Sequence, residues 1–289
     1  MPRYAVTAAT GQLGRLVVES LLDGGVPAGE VVAVVRTPGK AAVLAERGVE
    51  VRFGDYTVAD SLPAALADVH VVLLISGSEV GQRFTQHRAV VEAARRAGVG
   101  RIVYTSLLRA DTTELALAPE HKATEELIRG SGLRFTFLRN GWYTENYTAQ
   151  LGQYLAHGVI VGATHNAPVA AATRADYAAA AAAVMTGEGH ENAVYELGGT
   201  PFTMTELAAA VTDATGTPVS YRDVPAAELI EILQAAGLDP GTAQFVAGLD
   251  IATARGDLDT ASGDLPRLIG RPSTLLVDAV RAAVTAAAG

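Results

Sequence analysis

The stretch Tyr4 to Leu22, YAVTAATGQLGRLVVESLL, constrains this chain more than any other. It opens with a short apolar run, Ala5-Val6, suited to a buried strand. It turns through Thr7-Ala8-Ala9-Thr10-Gly11-Gln12-Leu13-Gly14. Apolar residues then fall three and four apart, at Leu13, Leu16, Val17 and Leu21, the spacing of one helix face. Strand, glycine turn and helix in direct succession make the unit with which parallel-sheet proteins build an anion site. The first helical amides have no intrahelical partner, the helix dipole adds positive potential, and glycine admits a pyrophosphate close to the backbone. The residues expected at that site are Ala8, Thr10, Gly11, Gln12, Leu13 and Gly14. The spacing departs from the usual GxxGxxG at its first position, where Ala8 stands. If that position needs positive φ, alanine costs about 1 kcal/mol there. The competing reading is a tight strand-to-helix turn that binds nothing.

Strand and helix patterns then alternate. Val31–Val35 is a continuous β-branched run, as in a strand buried on both faces. Ala41–Arg47 reads as a helix closed by Gly48, Val49–Phe53 as a third strand and Ser61–Ala67 as a short helix. Val69–Ile75, Arg101–Thr105 and Leu133–Leu138 read as the fourth to sixth strands, separated by helices over Thr85–Ala97 and Glu120–Arg129. This rhythm predicts an α/β fold, a Rossmann-type doubly wound parallel sheet with right-handed crossovers. Beyond residue 140 the rhythm loosens. Helices are expected over Ala175–Met185, introduced by Asp176, after the capping sequence Thr203-Met204-Thr205-Glu206, over Ala226–Ala236 and over Leu275–Ala287. Short strands are expected at Val194–Leu197 and Val219–Tyr221. The alanine runs count as good helix formers and nothing more. The predicted division is a dinucleotide-binding domain at 1–139 and a smaller α/β domain at 140–289, with later segments able to return to the sheet.

Composition bounds the function classes. Hydrophobic content of 49% supports a sizeable core over 289 residues. No apolar run is long enough to span a membrane and no basic-then-apolar leader is present, so a cytoplasmic protein without a membrane partner is expected. There is no cysteine, which excludes disulfides, thiolate catalysis and Cys-ligated metal. No His, Asp and Glu set has metal-ligand spacing, so no metal is expected. The net charge is −9 and the 22 basic residues are scattered, which gives no footprint for nucleic acid. The oligomeric state is left open, a homodimer included.

In a sheet of this kind the residue after the second strand meets the adenosine ribose. An acid there favours NAD, and a base suits the 2′-phosphate of NADP. Here the strand runs into Arg36-Thr37-Pro38-Gly39-Lys40, and the nearby acid, Glu30, lies at the strand's other end. Arg36 predicts NADPH, with Lys40 as a second contact. Asp55, after the third strand, is placed to accept from the adenine amino group. Ser76, in Ser76-Gly77-Ser78 after the fourth strand, is expected over the pyrophosphate or nicotinamide.

The chemistry is narrowed by a missing motif. Alcohol dehydrogenases of this class carry Tyr-x-x-x-Lys, and none of the nine tyrosines has lysine four residues later. Reduction of an electron-poor acceptor remains. A quinone that takes hydride becomes aromatic, and water can protonate the phenolate, so positioning matters more than a strong acid. The segment Arg139-Asn140-Gly141-Trp142-Tyr143-Thr144-Glu145-Asn146-Tyr147 gathers amides and aromatics at a strand end. Trp142, Tyr143, Asn146 and Tyr147 are expected to hold a flat acceptor, with Phe84 facing the same cleft alongside Gln86 and His87. Tyr143 and Asn140 are candidate catalytic residues. His121 is a third, able to protonate product or orient the nicotinamide ribose. The competing readings are a structural loop with its aromatics in the core, and a histidine satisfied in its surroundings.

TAATGQLGRLVVESLL, LLISGSEVGQRFTQHR, YTSLLRADT, LRNGWYTENY and ATRADYAAAAA resemble the NmrA-like atypical short-chain dehydrogenases, in particular the bacterial NADPH:quinone oxidoreductase type 2 group related to triphenylmethane reductase. The resemblance covers about residues 3 to 275. It implies an NADPH-binding Rossmann domain, a small C-terminal domain and a cleft between them. It also implies cofactor contacts from the 8–14 turn, Arg36, the Ser76 region, Asn140, Gly141 and Tyr143, and Arg174. In NmrA-like relatives a lysine stands where His121 falls. The function expected is an NADPH-dependent reductase of quinones or similar aromatic acceptors. A dye or xenobiotic reductase using the same cleft is a variant of it, and the alternative is a non-catalytic NADP(H)-binding redox sensor.

Overall fold

The computed structural model describes residues 2–288. Its centre is a seven-stranded parallel sheet: β1 (Tyr4–Thr7), β2 (Val31–Val35), β3 (Glu50–Phe53), β4 (Val71–Leu74), β5 (Arg101–Leu107), β6 (Arg134–Asn140) and β8 (Ala193–Leu197). The spatial order is β3-β2-β1-β4-β5-β6-β8. The strands alternate their side chains between two apolar layers. Tyr4, Val6, Val31, Ala33, Val35, Leu73, Val103 and Leu138 face one. Ala5, Val32, Val34, Val72, Leu74, Ile102, Tyr104 and Phe137 face the other. Burial on both faces explains the unbroken apolar runs.

On the first face lie α1 (Gln12–Asp23) and α8 (Arg174–Thr186), which pack against each other. The alanine run of α8 is more than a helix former. Ala178, Ala180, Ala181 and Ala182 are buried against the sheet and α1, and their small side chains let these elements approach closely. The other face carries α3 (Leu62–Ala65), α4 (Arg83–Arg96) and α5 (Ala118–Gly130), while α2 (Ala42–Glu46) precedes β3.

A smaller unit is built after β6. It contains α6 (Glu145–Thr148), α7 (Leu151–His157), the parallel pair β7 (Val159–Gly162) and β9 (Ser220–Asp223), α9 (Met204–Thr215), α10 (Ala226–Ala235) and α11 (Pro240–Ala254). Its apolar clusters gather around Leu207, Val211 and Phe202, and around Val224 and Leu229. The last helices, α12 (Asp264–Ile269) and α13 (Leu276–Ala288), pack on α8 and α9 respectively. α9 has the expected capping box, with Thr203 and Glu206 satisfying each other's backbone N–H.

Several boundaries move. β6 continues through Asn140, two residues past the expected end, because β8 pairs with it as Arg139↔Glu196 and Asn140↔Leu197. The segment read as one loop after β6 contains α6. The cap of α8 is Thr173, whose hydroxyl accepts from the Asp176 N–H, and not Asp176. Asp176 is fully buried at the third helical position, where its carboxylate accepts from Thr173 and from the backbone N–H of Thr274. The predicted short strand at 219–221 is β9, one residue later than expected.

Candidate functional site

The chain runs outward from β1 through β2 to β3, then crosses back to β4 on β1's other side. A crevice opens above such a reversal, outside the carboxyl ends of the strands. Thr7 ties its two banks together. Its hydroxyl donates to the Leu73 carbonyl at 2.9 Å and accepts from the Ile75 N–H at 3.0 Å. Tyr56, which spacing did not single out, donates to Thr7 and stands 3.0 Å from the Ile75 carbonyl.

Above this floor lies a cavity of about 620 Å³. At one end stand Arg36, Lys40 and Asp55. The turn residues Ala8, Thr10, Gly11, Gln12, Leu13 and Gly14 form the middle, facing Ser76 and Gly77. Tyr143 and Arg174 close the other end. A second cavity of about 670 Å³ adjoins it and shares Thr10, Gly11, Gln12 and Arg174, adding Arg15, Glu145 and Asn146.

The turn has the geometry that a phosphate needs. Gly11 caps α1 with an extended backbone, and no side chain caps the first helical amides. The Ala8 carbonyl accepts from the Gly11 N–H at 2.8 Å. A Cβ on Gly14 would lie 2.3 Å from that same carbonyl oxygen, so the helix can approach the strand this closely only with glycine at 14. Ala8 itself has φ 49°, so the first position of the pattern does adopt the left-handed conformation in which alanine is strained. Uncapped amides, glycine at the close approach and a basic rim fit a dinucleotide with a charged adenosine end.

The two arginines differ. The Arg36 side chain is 69% exposed, and its Nη1 stands 3.9 Å from Glu79. The Arg174 side chain is 16% exposed. Its guanidinium stacks 4.3 Å from the Tyr143 ring centre, Nη2 donates to Asn146 at 3.2 Å and Nη1 lies 3.6 Å from Glu145. Glu145 also accepts from the Arg174 backbone N–H. Burial raises the Tyr143 hydroxyl above the ordinary tyrosine value, opposed by the Arg174 charge and by the neighbouring Asn140 side chain. Tyr143 is therefore a neutral hydrogen-bonding group at physiological pH.

The remaining candidates spread out. Asn140 is buried at the end of β6, and its Oδ1 has no partner. Gly141 donates to the Leu197 carbonyl at 2.8 Å. A Cβ there would meet three oxygens at 3.0 to 3.1 Å, so glycine leaves room that a side chain could take only by pushing its neighbours aside where β6 leaves the sheet. Trp142 and Tyr147 are half-buried against the apolar cluster of the smaller unit, and Tyr147 meets Phe202 edge-on at 5.8 Å. Phe84 is half-buried on α4 and does not line the cavity. Gln86 lines it, whereas His87 is fully buried behind its wall.

His121 is not brought to the cavity wall. It is buried with Nδ1 2.7 Å from the Tyr104 hydroxyl, and desolvation pushes its pKa down to about 3. An imidazole that stays neutral at physiological pH has no charge-borne proton to give, which corrects the expectation of a histidine acid. Spacing also missed Glu79, which lines the cavity from the loop after β4 and holds Gln86 at 2.7 Å. Among the described residues no cluster of side chains could hold a metal, and no helix is long and apolar enough to cross a membrane.

A family model for NAD(P)H-binding proteins matches residues 8–188. Over 277 residues the chain is 49% identical to quinone oxidoreductase 2 of Escherichia coli, which spans 96% of each protein. A crystal structure of an NADPH-dependent quinone oxidoreductase from Escherichia coli, complexed with NADPH, superposes with a TM-score of 0.92 and 49% identity, over 96% of this chain and 98% of that one. The triphenylmethane reductase of Citrobacter sp. superposes with a TM-score of 0.92 and 39% identity, over 98% of this chain and 99% of that one.

Proposed function

The chain belongs to the NAD(P)H-binding family, and from that premise we propose that it is an NADPH-dependent reductase of quinones and similar aromatic acceptors. The observation that carries the reading is one continuous cavity. It runs from the basic rim at Arg36 and Lys40, past the uncapped start of α1, to Tyr143 under Arg174. NADPH, when bound, supplies the hydride.

The protein's part is binding and orientation. The amides that open α1 hold the pyrophosphate, and Gly14 permits the approach. Arg36 and Lys40 hold the 2′-phosphate, Arg36 with its forked donors. Asp55 and Ser76 complete the wall on the cofactor's two flanks. Tyr143 offers a neutral hydroxyl at the reacting end, with Asn140 beside it at the end of β6. Trp142, Asn146 and Tyr147 border the acceptor's side. A reduced quinone oxygen leaves as a phenolate that water protonates, so the absence of Tyr-x-x-x-Lys is compatible with turnover. We divide the work accordingly: 1–139 binds the cofactor and 140–289 mainly shapes the acceptor's side, with α8 and β8 serving the sheet.

The test is titration with NADPH and NADH, followed by addition of a simple benzoquinone or naphthoquinone. The expected result is tighter binding of NADPH and protein-dependent oxidation of it. Tight binding without turnover on any quinone would overturn the enzyme reading in favour of a sensor. Tyr143→Phe sharpens the assignment. It should keep NADPH affinity and lower turnover by about tenfold, less than the roughly 10²–10⁴-fold usual for a positioned acid, because water can substitute. Unchanged turnover would remove Tyr143 from the reacting end.

A further inference from the structure

The first turns of α4 bury polar side chains where an amphipathic helix normally buries apolar ones. Arg83, Gln86 and His87 are 5%, 7% and 0% exposed. Their spacing of three and four sets them on one helix face. Buried polar groups are kept where they have partners, and here the partners lie in the loop that walls the cofactor cavity. The Gly77 N–H donates to His87 Nε2 at 2.9 Å. Arg83 Nε donates to the Gly77 carbonyl at 2.7 Å. Gln86 Nε2 donates to Glu79 at 2.7 Å. A single residue, Gly77, is thus gripped at both its backbone donor and its backbone acceptor.

A second helix backs the first. Arg83 Nη1 donates to Glu120 at 3.2 Å, and Glu120 also accepts from the Gly81 N–H at 3.1 Å. His87 Nδ1 lies 3.0 Å from Thr124 Oγ1, whose hydroxyl donates to the Glu120 carbonyl at 2.7 Å. These contacts fix the tautomer. Nε2 accepts from Gly77, so the proton sits on Nδ1 and is donated to Thr124, which passes its own hydrogen onward. Burial pushes the His87 pKa down to about 3, so the grip holds throughout the neutral range.

The grip also decides what the loop offers. The Ile75 N–H is taken by Thr7, the Ser76 N–H by Thr105 at 2.8 Å and the Gly77 N–H by His87. Three successive amides at a strand's carboxyl end are therefore withheld from any phosphate. Anion binding therefore falls first to the α1 turn, and residues 75–77 meet the cofactor through side chains and carbonyls.

We propose that His87 and Arg83 are positioning residues for the cofactor, a brace from α5 through α4 that sets the Ser76–Glu79 wall of the cavity. Neither is a catalytic residue, since His87 lies behind the wall and acts through Gly77. The proposal rests on the reading of the cavity as the NADPH site.

The experiment is steady-state quinone reduction by the full chain at varied NADPH, with thermal unfolding in the absence of cofactor to verify folding. His87→Leu should raise KM for NADPH about tenfold, the effect of losing one buried hydrogen bond, and leave kcat within about twofold. His87→Gln, whose amide oxygen can accept from Gly77, should recover most of that loss. Thr124→Val keeps the shape but leaves the buried Nδ1–H of His87 without an acceptor, and should raise KM in the same direction without touching the cavity. Should His87→Leu not fold, Thr124→Val and His87→Gln decide. An unchanged KM in folded Thr124→Val overturns the brace, as does a fall in kcat at constant KM. Absence of NADPH binding by the unaltered protein would overturn the cofactor reading, whereas normal binding there with unchanged KM in His87→Leu overturns the brace alone.

Discussion

The two ends of the cavity hold their arginines in opposite ways. Arg36 projects from the end of β2 into solvent, with one loose contact to Glu79. Arg174 opens α8 half-sunk between Tyr143, Asn146 and Glu145. An exposed pair at such a distance contributes between nothing and about 1 kcal/mol. Arg36 is therefore nearly free for a ligand, and the fold scarcely depends on it. Arg174 already has partners and links α8 to the loop after β6, so it serves structure and site together. A residue at a binding site can thus be spare or committed, and the two kinds fail differently when removed.

The largest expected effect lies between the two ends, at the turn both share. Gly14→Ala sets a Cβ 2.3 Å from the Ala8 carbonyl oxygen, and the three nearest atoms, on Ala8 and Ala9, are all backbone. Relief requires α1 to move off β1, while α1 is packed on α8. Binding of NADPH and NADH should weaken together by about a hundredfold or more, with overpacking strain of roughly 1–3 kcal/mol in stability. Calorimetric titration measures the first and denaturant unfolding the second. Retained binding would show that the turn can relax and that the anion site does not depend on this approach.

Arg174→Ala comes next and tests the committed kind. It removes the stack on Tyr143 and the bond to Asn146, and leaves Glu145 with the backbone N–H of residue 174 alone. Stability should fall by about 1–2 kcal/mol, with loss of turnover as Tyr143 and Asn146 lose their restraint. Arg36→Ala tests the spare kind. NADPH affinity should fall about tenfold, NADH affinity should hold, and the unfolding midpoint should not move. The comparison breaks if Arg36→Ala destabilises the fold or Arg174→Ala does not. It sharpens if raised salt weakens NADPH binding in the parent more than in Arg36→Ala, because an exposed contact is the more strongly screened.

The difference also explains what spacing could reveal. Arg36 was legible because strand ends are readable from β-branched runs and the residue after β2 meets a fixed part of any dinucleotide. The sheet was legible for the same reason, Val31–Val35 being buried on both faces. Resemblance named Arg174, but nothing local distinguishes it from a surface charge, since its role comes from Glu145 and Tyr143 in another element. Residue type drew His121 toward the cavity, whereas Trp142 and Tyr147 keep to the proposed acceptor side with part of their rings in the smaller unit's core. Tyr104 and the apolar cluster of the smaller unit decide where they go, through tertiary packing that periodicity does not encode. The face of Arg83, Gln86 and His87 hides for a related reason. The sequence turns Gln86 and His87 toward the cleft with Phe84 and assigns Arg83 no role, and only the loop over this face reveals that all three are buried beneath it.

The smallest expected effect concerns Ala8, and it separates strain from function at the turn. At φ 49° the alanine Cβ crowds its own backbone, a cost of about 1–2 kcal/mol relative to glycine. Ala8→Gly removes that cost but widens the unfolded ensemble, which returns roughly 0.4–1 kcal/mol. The net lies between nothing and a stabilisation of about 1.6 kcal/mol, or a rise of at most roughly 3–6 °C in Tm. The carbonyl of residue 8 accepts from Gly11 and faces Gly14, and its position depends on the backbone and not on the methyl group. NADPH affinity should therefore change by less than about threefold. A fall in Tm would mean that the methyl makes contacts worth more than the strain. A large gain in affinity would mean that alanine at this position holds the phosphate turn away from its ligand, and that Gly11 and Gly14 alone do not make the site complete.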